Sequence, residues 1–174
     1  KGVVRMNRAH NPVNIAFIGC GGVADLHAVA IQLCESAKLI AVYDKNEQLA
    51  AGKAAQWGAE VRSFAEICQA DDIDAIYVLT PMESHIDYAE QALRSGKHVL
   101  VEKPVSEDLD GIERLINLQE KTGKVCMPGH SYLYLPEIRR MQRLVRRGQI
   151  GTPTAMFMSE IYKMPDELVQ KYHG

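Results

Sequence analysis

Six residues near the start of the chain, Gly19-Cys20-Gly21-Gly22-Val23-Ala24, separate an apolar run from apolar residues at helical spacing. They match the pattern G-x-G-x-x-A, in which the first glycine makes a tight turn and the second leaves room for a pyrophosphate. The amides at the start of the following helix would then bind phosphate. A plain turn between a strand and a helix uses glycines in the same way, so the motif alone leaves both interpretations open.

A carboxylate, Asp44, stands 22 residues after Gly22, at the end of the next predicted strand. At this spacing it could accept both hydroxyls of an adenosine ribose, which favours NAD over NADP because the carboxylate would repel a 2′-phosphate. The neighbouring Lys45 could offset part of that repulsion, so NADP stays open as the cofactor. Alternatively, Asp44 caps the helix that begins at Glu47.

Two later apolar runs end in polar residues, the first in Thr80-Pro81 with His85 shortly after, and the second in Glu102-Lys103-Pro104. Ligands of open parallel sheets bind at the carboxyl ends of strands. Proline favours an extended backbone at Lys103, and an amine there can polarise or deprotonate a hydroxyl once burial disfavours its charged form. Plainer explanations are a strand stop, a partly buried histidine and a solvated Glu-Lys pair.

The elements that would position these residues alternate along the chain. Short apolar runs closed by glycine or polar residues predict strands over 13–18, 39–43, 61–62, 73–79, 98–101 and 125–128. Helical spacing predicts helices over 23–33, 47–57, 84–96 and 106–121, with a capping box, Ser63 and Glu66, opening one more. This alternation predicts an α/β fold, a Rossmann-type doubly wound parallel sheet.

The end of the chain departs from this alternation. We expect a helix over 136–147 and a strand over 154–161, which indicates the truncated start of an α+β C-terminal domain. The predicted domains are therefore 1–129 and 130–174. Five arginines between 139 and 147 fall off the apolar stripe of this helix, which favours a solvated amphipathic helix over a nucleic-acid surface.

Composition excludes several classes of function. The chain of 174 residues has 20 lysines and arginines against 22 acids, so no global charge attracts nucleic acid or an acidic membrane. Its four cysteines lie far apart without a C-x-x-C pair, which argues against a zinc site and indicates reduced thiols in the cytoplasm. No apolar stretch approaches the roughly 18 residues of a membrane span. A small-molecule partner is the remaining expectation.

Taken together and in this order, the glycine motif, Asp44, "VLTPMESH" from Val78 and "GKHVLVEKPVS" from Gly96 resemble the Gfo/Idh/MocA family of nucleotide-dependent sugar and polyol oxidoreductases. The resemblance covers residues 13–161, and the Glu-Lys-Pro block is its most specific part. It implies a Rossmann domain followed by an open antiparallel sheet, NAD or NADP as cofactor, a sugar or polyol as substrate and a homo-oligomer at full length.

The resemblance also implies roles for individual residues. Lys103 would be the catalytic lysine, and no metal site is implied. Where the chain departs from the family, His130 and Tyr132 are candidates to line the substrate pocket. Residues that would hold the cofactor are Gly19, Cys20, Gly21, Gly22, Val23, Asp44, Thr80, Pro81, His85 and Glu102.

Three departures from the family pattern keep other functions open. Met82 stands where the family has asparagine, Tyr132 and Leu133 replace arginines, and no Asp-x-x-x-His occurs. The alternatives are a redox-silent nucleotide sensor or partner-binding protein and an NAD-dependent glycosidase of the same family.

Overall fold

The computed structural model describes residues 11–159, and within that range strands alternate with helices up to the sixth strand. The strands are Val13–Ile18 (β1), Ala37–Tyr43 (β2), Glu60–Val61 (β3), Ala75–Val78 (β4), His98–Val101 (β5) and Cys126–Pro128 (β6). The helices are Gly22–Gln32 (α1), Glu47–Trp57 (α2), Phe64–Gln69 (α3), His85–Arg94 (α4), Leu109–Thr122 (α5) and Pro136–Arg146 (α6).

The six strands form one sheet in the order β3-β2-β1-β4-β5-β6, and every neighbouring pair is parallel. The strand order reverses between β1 and β4, so their carboxyl ends flank the crevice in which doubly wound folds bind ligands. The predicted Rossmann-type fold is confirmed.

Two apolar clusters cover the two faces of the sheet, as continuously apolar strands require. On one face α1 and α2 contribute small residues, Ala24, Ala28 and Ala50 among them, which pack on Phe17 of β1. On the other face α3, α4 and α5 pack on Ile18 and Ile76, with Leu93 and Leu115 buried. Small residues on α1 let that helix approach the sheet closely, which fixes its amino end above β1.

Local chemistry at the helix ends matches the sequence pattern. The predicted capping box is formed: the Ser63 hydroxyl accepts from the Glu66 amide at 3.3 Å, and the Glu66 carboxylate accepts from the Ser63 amide at 2.7 Å. Gly58 and Gly123 end α2 and α5 in the left-handed conformation that glycine adopts without a steric cost. These signals are local, so they were visible in the sequence.

The chain divides into two compact units, Lys1–His130 and Ser131–Gly174. The described part of the second unit contains α6, which has no buried residue. The predicted strand over 154–161 is wrong for residues 154–159, which form no strand and are exposed. A strand needs a neighbour to bind its amides and carbonyls, and no segment within residues 11–159 pairs with this one. Residues 160 and 161 lie outside the described range.

None of the helices described between residues 11 and 159 combines the length and the apolar character that crossing a bilayer requires. In the same range, no three His, Cys, Asp or Glu side chains lie together as a set of metal ligands.

Candidate functional site

The turn after β1 is built around Gly19, which has a φ of +98°. A Cβ at this position would lie 2.8 Å from the carbonyl carbon and oxygen of Leu79, so no other residue fits without moving the backbone after β4. The Gly19 amide donates to the Tyr43 carbonyl at 2.8 Å. This glycine therefore brings the ends of three neighbouring strands into contact.

Gly21 and Gly22 serve a different purpose from Gly19. Gly21 precedes α1 with a φ of −71°, and a Cβ built at Gly21 or Gly22 would meet no atom within 4 Å. No side chain caps α1, so the first amides of the helix have no side-chain acceptor. Open space beside uncapped helix amides is what an anionic phosphate requires.

Asp44 follows β2 and joins the two βα turns. One carboxylate oxygen accepts from the Cys20 amide and the other from the Asn46 amide, both at 2.8 Å. The alternative role for Asp44 as the cap of α2 is excluded, because Asn46 is the N-cap and accepts from the Leu49 amide at 3.1 Å. Asp44 is thereby held with its carboxylate beside the glycine turn.

A cavity of about 440 Å³ opens at this edge of the sheet. Five of the residues predicted to hold the cofactor line it together: Gly19, Gly21, Asp44, Thr80 and Pro81. Behind Thr80, the Ser84 hydroxyl donates to the Thr80 hydroxyl at 2.8 Å or to the Pro81 carbonyl at 2.9 Å, which fixes the short 3-10 turn Met82–Ser84. Tyr88 of α4 closes another side, and burial raises the pKa of its phenol.

Glu102 and Lys103 directly follow β5, the strand next to β4 in the sheet. The Glu102 side chain is largely buried, and its Oε1 lies 2.9 Å from Nε2 of His27 on α1. Its Oε2 accepts from the Lys103 amide at 2.9 Å. The Lys103 side chain is exposed, so the burial assumed for it in the sequence analysis is not provided by the described residues.

This geometry agrees with the comparison with known proteins. A family model described as an oxidoreductase family with an NAD-binding Rossmann fold matches residues 13–130, about two thirds of the chain. The chain belongs to the Gfo/Idh/MocA family. The predicted family is confirmed, and so is the predicted class of cofactor, a nicotinamide dinucleotide.

Several relatives show how broad this family is. The chain is 31% identical to dTDP-3,4-didehydro-2,6-dideoxy-alpha-D-glucose 3-reductase of Actinomadura kijaniata, over 81% of this chain and 43% of that protein. It is 30% identical to inositol 2-dehydrogenase of Rhizobium meliloti (strain 1021), over 80% and 42%. It is 32% identical to glycosyl hydrolase family 109 protein 1 of Bacteroides thetaiotaomicron, over 70% and 28%.

Among solved structures, a 3-ketoreductase from Actinomadura kijaniata in complex with NADP and TDP-benzene superposes with a TM-score of 0.73 at 28% identity. The match covers 79% of this chain and 43% of that one. The chain therefore spans less than half the length of each of these relatives.

In this Gfo/Idh/MocA chain, two predicted cofactor residues, Cys20 and His85, have polar atoms with partners inside the protein. The Cys20 side chain is fully buried against the Tyr43 carbonyl and its amide binds Asp44, so neither its amide nor its thiol is left for a phosphate. Burial, with a smaller contribution from the Asp44 charge, raises the pKa of this thiol to about 12.

His85 was also predicted to contact the cofactor, and both of its ring nitrogens lie close to backbone carbonyls of the protein. The side chain is 1% exposed, with Nε2 at 2.7 Å from the Thr80 carbonyl and Nδ1 at 2.9 Å from the Pro104 carbonyl. Both nitrogens face backbone oxygens, so His85 links two loops of the protein instead of presenting a nitrogen to a ligand.

The two predicted substrate residues fall in different compact units of the chain. His130 is exposed and lines another cavity, of about 530 Å³, whose walls include Pro104 and Pro128 and which shares no lining residue with the first. Tyr132 lies in the second unit, in a 3-10 turn after β6.

Sequence reasoning missed His27. It stands three residues after Ala24 and four before Ile31, both of which are buried on α1. A polar residue on the buried stripe of an amphipathic helix was the available signal, because such a side chain needs a buried partner.

Proposed function

We propose that this chain is the cofactor-binding part of an NAD(P)-dependent dehydrogenase or reductase that acts on a CH–OH group of a sugar or polyol. The observation that carries the proposal is the single cavity lined by the glycine turn, Asp44 and Thr80-Pro81, next to the strand β5, which Glu102 and Lys103 follow. The reductase and the inositol dehydrogenase among the relatives support the substrate class.

The residues at the cavity fit a dinucleotide. The space at Gly21 and the uncapped amides of α1 suit the pyrophosphate. Each Asp44 oxygen accepts one amide and keeps a lone pair for a ribose hydroxyl. An anionic carboxylate repels a 2′-phosphate, so we propose NAD as the preferred cofactor, while Lys45 in the same cavity lessens the discrimination against NADP.

In the proposed reaction, Lys103 handles the proton. When bound, a nicotinamide ring supplies or accepts the hydride. In the oxidation direction, Lys103 as a neutral amine takes the hydroxyl proton while the carbinol carbon loses its hydride and becomes a carbonyl. In the reduction direction, Lys103 as an ammonium returns that proton to the oxygen, so atoms and charge balance both ways.

The test of this role is Lys103→Ala, with Lys121→Ala, on the exposed last turn of α5, as the matched control. In an active preparation that includes this chain, we expect kcat to fall by about a hundredfold or more for Lys103→Ala, the usual range for loss of a general acid or base. NADH affinity should stay within about threefold, because Lys103 does not line the dinucleotide cavity. Wild-type kcat in Lys103→Ala would refute the role.

His130 and Tyr132 are proposed substrate contacts. Separate replacement of each by alanine should raise KM for the substrate while NADH affinity is unchanged, since neither residue lines the Gly19 cavity. An unchanged KM for every active substrate would remove that residue from the proposed site.

A second candidate is an NAD-dependent glycosidase, which the Bacteroides relative favours. The two functions differ in the fate of the cofactor. A dehydrogenase forms NADH in step with product, whereas such a glycosidase would cleave a glycoside without net change at the NADH absorbance band.

A third candidate is a redox-silent binding protein, which the replacement of the family asparagine by Met82 favours. Tight NADH binding without turnover across a panel of sugars, polyols and glycosides would support it. For any of these functions we propose a cytoplasmic setting, supported by the four cysteines, which are all free.

A further inference from the structure

Two histidines reach the Lys103 segment from opposite faces of the sheet. His27 lies on α1, which packs with α2 on one face, and His85 opens α4, which packs with α5 on the other. Neither histidine lines the dinucleotide cavity. Their shared feature is a polar contact within one residue of Lys103.

His27 fixes the segment through Glu102. Its ring lies edge-on to the rings of Phe17 and Tyr77, with centroid distances of 6.3 and 5.6 Å, and this packing sets the direction of Nε2. A carboxylate oxygen only accepts, so Nε2 carries the hydrogen of the 2.9 Å contact with Glu102 Oε1. Since the other oxygen binds the Lys103 amide, the contact links α1 to the backbone of Lys103.

The Glu102 side chain has little freedom to adopt another position. A Cβ added at Gly129, the residue after β6, would lie 3.1 Å from Oε1 and 3.2 Å from Cδ of Glu102. The backbone after β6 therefore packs closely against the Glu102 carboxylate and leaves it little room to move. Leaving a buried carboxylate without hydrogen-bond partners is costly, so the contacts with His27 and the Lys103 amide favour this one position of the side chain.

His85 fixes the same segment one residue further on. Nδ1 is at 2.9 Å from the Pro104 carbonyl, and Nε2 is at 2.7 Å from the Thr80 carbonyl. A neutral imidazole donates to one of these oxygens, whereas an imidazolium donates to both. In either state the ring stands between the residues that follow β4 and those that follow β5.

We propose that His27 and His85 are positioning residues that hold the Glu102-Lys103-Pro104 segment from both faces of the sheet and so aim Lys103. The inference rests on the proposed function for the role of Lys103. Because the Lys103 ammonium is exposed on a flexible four-carbon stem, its placement depends on how firmly its backbone is held.

The experiment compares hydrogen exchange of the Lys103 amide, measured by NMR on the 174-residue chain, in matched variants. His27→Leu removes the donor to Glu102, and His27→Gln places an amide nitrogen where Nε2 was. For His85, Asn retains a donor near Nδ1 and Gln a donor near Nε2, while Leu removes both. The control is His98→Leu, because His98 also binds a backbone amide, that of Val125, but at the opposite end of β5.

We expect His27→Leu and His85→Leu to speed exchange of the Lys103 amide about tenfold or more, while amides of Ile76 and Val99 in the central strands change little. His27→Gln should restore protection to within about threefold of wild type. His85→Asn should protect better than His85→Gln, since it keeps the contact with Pro104. Where turnover is measurable, kcat should fall with KM unchanged in the leucine variants.

Two results would overturn the inference: unchanged Lys103 exchange in both leucine variants, or equal acceleration in His98→Leu. Titration of the wild-type chain with NADH separates this outcome from failure of the proposed function. If NADH does not bind but Lys103 exchange is accelerated in the leucine variants, the proposed function is contradicted and the positioning role is supported. If NADH binds but exchange is unchanged, the proposed function is supported and the positioning role is contradicted.

Discussion

The glycines of the turn after β1 are not equivalent at the level of single residues. Gly19 has no room for a Cβ, whereas Gly21 has ordinary backbone angles and open space. We expect Gly21→Ala to change the free energy of unfolding by no more than about 1 kcal/mol, as for a changed helix cap, yet to weaken NADH binding because the methyl group occupies the space for phosphate. Urea unfolding and NADH fluorescence titration measure the two effects.

Gly19→Ala is the matched variant, and its effect on stability should be larger than that of Gly21→Ala. Its methyl group would collide with the Leu79 backbone at an unfavourable φ, so we expect a loss of about 2 kcal/mol or more in stability. Equal destabilisation by the two substitutions would contradict the separate roles.

Cys20 provides a second prediction at this scale. Its pKa is raised to about 12 by burial and by the Asp44 charge, so at about pH 8 it holds almost no thiolate, whereas Cys34 is exposed. A maleimide should label Cys34 at least about a hundredfold faster than Cys20, measured by peptide mass spectrometry. Comparable labelling rates would show that the turn is not packed as described.

The raised pKa of Cys20 also makes the free energy of unfolding depend on pH. The pKa of Cys20 is higher in the folded chain than in the unfolded one, so its contribution is fully present below the unfolded thiol pKa. The free energy of unfolding should then decline as pH rises from the usual thiol range towards about 12. Cys20→Ala should flatten that decline in urea unfolding series.

At the level of elements, the capping box at the start of α3 is the clearest test of a helix end that is determined by local sequence. Ser63→Ala should lower the free energy of unfolding by about 1 kcal/mol at neutral pH, with Ser36→Ala as an exposed control. The Ser63 bonds lower the pKa of the Glu66 carboxyl, so the stability they provide is lost as pH falls through that lowered value. A Ser63→Ala cost as large in acid as at neutral pH would contradict this assignment.

Element boundaries were predictable where the determining chemistry is local. β1 and β5 begin and end at the predicted residues, and Gly58 ends α2 as expected. The predicted strand was wrong over 154–159, because strand formation depends on a partner that the pattern cannot reveal. The bonds of His85 and His27 were equally out of reach, since their partners, Pro104 and Glu102, come from distant parts of the chain.

At the level of the whole molecule, the strand order explains why separate motifs form one site. Gly19 after β1 touches Leu79 after β4 because these strands are neighbours at the reversal of the sheet, and Asp44 arrives from β2 on the other side. The sequence could place each motif at the end of a strand. It could assign them to one cavity only through the general rule for doubly wound sheets.

Calorimetric titration of the chain with NADH and with NADPH, for wild type and Gly21→Ala in parallel, tests directly whether the glycine turn binds the cofactor. We expect saturable binding of NADH at one site, weaker binding of NADPH because Asp44 repels the 2′-phosphate, and a loss of about tenfold or more in NADH affinity for Gly21→Ala. Absence of binding by either dinucleotide, or equal NADH affinity in the two proteins, would contradict the assignment of the glycine turn as the cofactor site.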